Sequence, residues 1–129
     1  MINRKDGSIV IDGGYTLHSR LYFNDFSRGK YYKGQNPLRL FSLGGVHEIN
    51  KRFFYVSLLF KENKLARIHL LVEDDSIKEW SDEPKRKIIH DELLKTININ
   101  KSANFVWGSV SSLYDPKSAI SNIIITYND

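Results

Sequence analysis

Two apolar runs separated by four polar residues mark the middle of the chain. Phe53 to Phe60 is the first, Lys61-Glu62-Asn63-Lys64 the break, and Leu65 to Val72 the second. Side chains alternate along a strand, so Phe54, Val56, Leu58 and Phe60 share one face. Ala66, Ile68, Leu70 and Val72 do the same on the return. The opposite faces mix Tyr55, Ser57, Arg67 and His69. The pattern predicts a β-hairpin with a four-residue loop, in which Asn63 takes the left-handed conformation. One wholly apolar face and one amphipathic face predict central antiparallel strands covered on one side by a helix.

The flanking segments are shorter. Ser8–Ile11 and Tyr15–His18 surround Asp12-Gly13-Gly14 and form a small hairpin. Leu21, Tyr22, Asp25 and Phe26 fall on one helical face and predict a minor helix near 21–27. Residues 29–37 are rich in turn formers and read as a loop. Leu38–Leu43 is a strand, broken by Gly44-Gly45, and Val46–Ile49 starts another, with Asn50-Lys51 as the turn into the central hairpin. Ser81-Asp82-Glu83-Pro84 has the chemistry of a helix start, and Ile89, Leu93 and Ile97, widened by Ile88 and Leu94, predict the main helix at about 82–97. Residues Asn104–Tyr114 run to a type I turn at Asp115-Pro116-Lys117-Ser118, and Ser121–Tyr127 is the final strand. Alternation through 104–114 sets Ser109 and Ser111 beside Phe105 and Trp107. The fold class is α+β: a mostly antiparallel β-sheet, one main helix packed on one face and a minor helix near 21–27, in a single domain spanning 1–129.

Composition narrows the chemistry. The chain has no cysteine, which removes disulfides, thiolate metal sites and a cysteine nucleophile. The first residues lack an apolar signal core and no run approaches membrane-spanning length, so the expectation is a cytoplasmic protein with no membrane partner. The net charge is +4. It is unevenly spread: residues 1–72 hold 12 Lys+Arg against 5 Asp+Glu, while residues 73–92 hold 4 against 8. A basic body with one acidic segment steers charged partners.

No catalytic, metal or cofactor site is assigned. His18, His47, His69 and His90 show no metal-ligand spacing. His69 lies mid-strand, and a small hydrolase built on it would need Glu73 or Asp74 within reach. Glu73-Asp74-Asp75 point to alternating sides, so three in a row do not converge on one ion. Arg28-Gly29-Lys30-Tyr31-Tyr32-Lys33 mixes cations with aromatics, as single-strand nucleic-acid binders do, but tyrosines that pack a loop give the same composition. Gly-x-Ser-x-Gly and a phosphate-binding glycine loop are absent. Trp80, just before the main helix, either anchors it to the sheet, the preferred reading, or stands exposed as an interface anchor.

A family likeness rests on several stretches. They are Phe41-Ser42-Leu43-Gly44; Tyr55–Phe60 followed by Leu65–Leu70; Trp80 with His90-Asp91-Glu92-Leu93-Leu94; Phe105–Val110; Tyr114–Ser118; and Ile123-Ile124-Ile125. Over roughly residues 8–127 the chain resembles the small bacterial immunity proteins of contact-dependent growth inhibition and related polymorphic toxin systems. The resemblance implies a non-enzymatic cytoplasmic protein. Its partner would be a cognate C-terminal toxin domain, often a nuclease, neutralised by blocking its active site or substrate surface. Direct nucleic-acid binding is the alternative, and a hydrolase a remoter one. No interface residue carries over by motif. The acidic segment suits a basic toxin surface, so Glu73, Asp74, Asp75, Glu79, Trp80, Asp82 and Glu83 are the candidate partner-binding residues.

Overall fold

A computed structural model describes residues 1–129. The central hairpin pairs β5 (Arg52–Lys61) with β6 (Lys64–Val72). Its loop is two residues, not four: Glu62 and Asn63 both have positive φ, 52° and 68°, and Lys61 pairs with Lys64. A turn of this kind matches the twist of the strands it joins. A bulge at Ala66 shifts the register between Leu59 and Phe60, so Leu65 as well as Ile68, Leu70 and Val72 faces the core.

The other strands are β1 (Ile9–Ile11), β2 (Tyr15–Leu17), β3 (Phe41–Ser42), β4 (His47–Ile49), β7 (Ser102–Phe105), β8 (Gly108–Asp115) and β9 (Ile120–Tyr127). The helices are α1 (Phe23–Phe26) and α2 (Glu83–Lys95), with a 3-10 turn at Trp80–Asp82 before α2. A seven-stranded antiparallel sheet runs β3-β5-β6-β9-β8-β7, and β4 pairs β5 beside β3. β1 and β2 form a separate hairpin. The architecture is α+β, as the apolar pattern predicts.

One face of the sheet carries the core. Phe54, Val56, Leu58, Ile68, Leu70, Ile123 and Ile125 are buried there. Each side chain of this size contributes roughly 2 kcal/mol on burial. Phe26 of α1 joins Phe41 and Phe60 over one end, at ring distances of 5.9 and 5.4 Å.

Three local expectations change. Leu38–Leu40 is not strand, and only Phe41–Ser42 pairs with β5. The minor helix is one turn, and Leu21 and Phe26 face inward while Tyr22 and Asp25 are exposed. The Leu65 N–H donates to the Leu21 carbonyl, which ties the approach to α1 to β6 and rotates its face. The third change is at Val106-Trp107, where a turn divides 104–114 into β7 and β8. Ser109 and Ser111 therefore pair with Asn104 and Ser102, on the opposite face from Phe105. No glycine, proline or asparagine occupies the two turn positions, and Gly108 closes the turn just after them. Trp107 makes it by docking elsewhere: its ring stacks on Phe105 at 4.9 Å, and its indole N–H donates to the Arg4 carbonyl at 2.8 Å.

The main helix covers the apolar face, but it does so with an unexpected side. Leu94 is fully buried, Ile89, Leu93 and Ile97 are half-buried, and Ile88 is exposed. The innermost line is Glu83, Arg86, His90 and Leu94. The reason lies beneath it. The β6–β9 pairing ends at Leu70–Ile123, which leaves Val72 and Ser121 with backbone groups to satisfy. The Val72 N–H donates to His90 Nε2 at 3.0 Å, Arg86 Nε donates to the Val72 carbonyl at 3.1 Å, and the Ser121 N–H donates to Glu83 Oε2 at 3.3 Å. Arg86 and Glu83 pair with each other, and His90 Nδ1 meets Ser121 Oγ at 3.1 Å. The bond from Val72 makes Nε2 an acceptor, so Nδ1 carries the proton and His90 is neutral. At the far end Asn98, at φ 61°, turns the chain, and the Ile99 N–H returns to the Leu94 carbonyl at 2.9 Å.

Two outcomes follow for stability. Gly108 has no room for a side chain, because a Cβ there would lie 1.9 Å from the Thr126 carbonyl oxygen. Gly108→Ala should cost about 3 kcal/mol in urea denaturation. Burial, with Arg86 beside it, pushes His90 down to about 3, and burial, with Arg67 nearby, pushes His69 down to about 4. An unfolded histidine titrates near 6.5, so below that the unfolded chain binds more protons than the folded one. The stability due to these two groups is complete above about pH 6.5 and falls toward pH 4. Urea midpoints across that range should show the fall, and His90→Gln should remove about one proton from the slope.

Candidate partner-binding site

The acidic segment leaves β6 at Glu73, whose N–H still bonds the Phe53 carbonyl at 2.8 Å. Asp74 then folds the chain over. Its Oδ1 accepts from the Ser76 hydroxyl at 2.7 Å and the Ser76 N–H at 3.0 Å, and Oδ2 meets Arg52 at 3.2 Å. The Ser76 bonds, with Arg52 adding to them, hold this carboxyl below the usual range. Glu79 and Asp82 form a reciprocal capping box around the 3-10 turn. Asp82 accepts the Lys78 and Glu79 N–H groups at 3.0 and 3.2 Å and pairs with Lys85, which keeps it ionised well into acid.

The seven candidate residues therefore divide. Glu73, Asp75 and Glu79 are exposed and have no ionic partner. Asp74 and Asp82 shape the segment, and Glu79, though exposed, shares in this through the capping box. Glu83 is buried, with its carboxylate turned toward Arg86 and Ser121 and away from any partner. Trp80 is 80% exposed, so it does not anchor the helix to the sheet. The polar contacts of Glu83, Arg86 and His90 hold that end of the helix instead. The surface is not uniformly acidic: Lys51 and Arg52 line the same shallow depression as Glu73, Asp74 and Asp75.

The other candidate groups are placed differently from what their chemistry would require. Tyr31 is buried and donates to Asp12 Oδ2 at 2.8 Å, while Tyr32 packs on Phe23 with ring centres 5.2 Å apart. Neither ring is presented as a stacking platform, so the 28–33 loop lacks the surface that single-strand binding requires. His69 sits opposite Ser57 and Ile124, and its Nε2 is buried without a hydrogen-bond partner. His69 makes no hydrogen bond to Glu73 or Asp74, and Asp74 is bonded to Ser76 and Arg52.

One cluster has no signal in the sequence. Asp12, from the first hairpin turn, accepts from Tyr31 at 2.8 Å, from the Glu48 N–H at 2.9 Å, and meets His47 Nδ1 at 2.8 Å. His47 Nε2 faces the Gly44 carbonyl at 2.8 Å, so both ring nitrogens lie against oxygens. Burial raises the Asp12 carboxyl, but the bonds from His47, Glu48 and Tyr31 outweigh it and hold the group low. Burial and the Asp12 contact push Tyr31 up to about 12. These bonds make the cluster a clamp between β4, the 28–33 loop and the first hairpin.

No known protein family, curated protein or solved structure matches this chain. No helix is long and apolar enough to cross a membrane.

The division between free and structural acids is measurable. Glu83→Ala strands a buried guanidinium and the Ser121 N–H, and should cost about 3 kcal/mol. Trp80→Ala should change stability by less than about 0.5 kcal/mol. Urea denaturation of the two variants compares them directly.

Proposed function

We propose that this protein is an immunity protein, which binds a cognate toxin domain of nuclease type and neutralises it by covering its active site or substrate surface. The toxin's basic substrate face is the complement of Glu73, Asp75 and Glu79. A cytoplasmic site of action belongs to the same proposal.

The observation that carries it is Trp80, exposed to 80% next to free carboxylates on a segment tied down by Asp74, Ser76, Arg52 and the Glu79–Asp82 box. An indole in water on a braced turn is the form of an interface anchor, since tryptophan is enriched where binding energy concentrates. Bracing lowers the ordering cost of association. Acids around the indole speed encounter with a cationic surface and penalise anionic ones.

The test is co-expression with a C-terminal toxin domain encoded immediately upstream. The two chains should co-elute on size exclusion, and the immunity chain should restore growth. Trp80→Ala with Asp75→Lys should weaken the complex by about 100-fold or more while the fold is retained. Absence of both a complex and growth rescue would defeat the proposal.

A further inference from the structure

Both helices and the first hairpin lie on one face of the sheet, so the other face meets solvent. It carries Phe53, Tyr55 and Leu113, exposed to 49%, 42% and 52%, with half-buried Leu71 and Ile124 between them. Ser57, His69, Asn122 and Ser111 lie among them, so the face is a mixed one with exposed large apolar side chains, the composition of an association surface. The middle of it is uncharged, because burial keeps His69 neutral at neutral pH.

Charge is arranged at the two ends. Across one end the register aligns Leu59, Arg67, Thr126, Ser109 and Asn104, so Arg67 is the only charge in that row. Lys61, Lys64, Glu62 and Asp129 stand beyond it near the hairpin tip. Across the other end Glu48 pairs with Phe53, the Glu73 N–H bonds Phe53, and Asp115 pairs with Ile120; these three acids outnumber Lys51, which lines the same depression as Glu73. Arg67, Glu48, Glu73 and Asp115 have no ion-pair partner within the chain.

We propose that this face pairs with the same face of a second copy of the chain, in a twofold dimer whose strands run antiparallel across the interface. Two sheets stacked face to face by a twofold axis in the interface plane have two simple arrangements. An axis along the strands lays acidic end on acidic end. An axis across the strands lays each Arg67 on the other copy's Glu73, with both residues on β6 or at its end, and sets His69 and Tyr55 near the middle. Like charges at a desolvated contact cost several kcal/mol, so the second arrangement is selected. Strand spacing of about 4.8 Å and a rise of about 3.4 Å per residue give on the order of 500 Å² per copy. The total, about 1,000 Å², is at the lower limit for a specific interface and predicts micromolar association. Glu73 belongs to both this face and the proposed toxin-binding surface, so the dimer is tested on the chain alone, without a toxin domain.

The experiment is sedimentation velocity on the purified chain alone, from about 10 to about 500 μM. The expected result is a concentration-dependent monomer–dimer equilibrium. Arg67→Glu and Glu73→Arg should each weaken it by about tenfold or more, with thermal melts close to wild type. An equimolar mixture of the two variants should dimerise again, because each copy then meets the opposite charge. Trp80→Ala should have no effect on the equilibrium. A monomer throughout the range overturns the proposal, also if a toxin domain occupies the face instead, and so does a mixture that fails to restore the dimer.

Discussion

The split between β6 and β9 is the constraint on which the rest of the structure depends. Val72 and Ser121 sit at the point where the two strands stop pairing, and their backbone groups lie beneath the helix. Each buried group left without a partner costs about 1–3 kcal/mol, so the helix that covers them must bring donors and acceptors. His90, Arg86 and Glu83 do so, spaced three and four apart on one helical face. A purely apolar stripe placed there would leave the split unsatisfied. Polar matching sets the rotation of α2, and that rotation leaves Ile88 in solvent.

The same contacts determine where the acidic segment goes. The chain must travel from Val72, at the edge of the split, to Glu83, which plugs it. Residues 73–82 have to double back within that distance, and the Asp74 turn and the Glu79–Asp82 box are the means. Trp80, on the 3-10 turn of that segment, projects into solvent. The proposed binding surface is thus a consequence of how the sheet core is closed.

The opposite end of the molecule is closed by aromatic packing and by one carboxylate. Phe26, Phe41 and Phe60 cover the sheet, and Asp12 draws Tyr31 and His47 together. All of this lies on one side. A single sheet layered on one face leaves the other face to solvent or to a partner, and the charges at its two ends restrict how a second copy fits.

Much of the fold was legible from residue patterns. Alternation in 53–72 identified the central hairpin and its buried face, because the strand period is local and needs no partner to be seen. The Ser81–Pro84 start placed the helix to within a residue or two. The acids of 73–83 were visible as a cluster, but their roles were not. Whether Glu83 faces solvent or Arg86, whether Trp80 packs or projects, and whether Asp12 meets His47 are settled by contacts between residues far apart in sequence. The sequence by itself determined the strand phase of the central hairpin up to its bulge at Ala66, the helix position and the charge distribution. Only the tertiary structure decided which helical face turns inward and which charges remain free, because those depend on backbone groups exposed where two distant strands part.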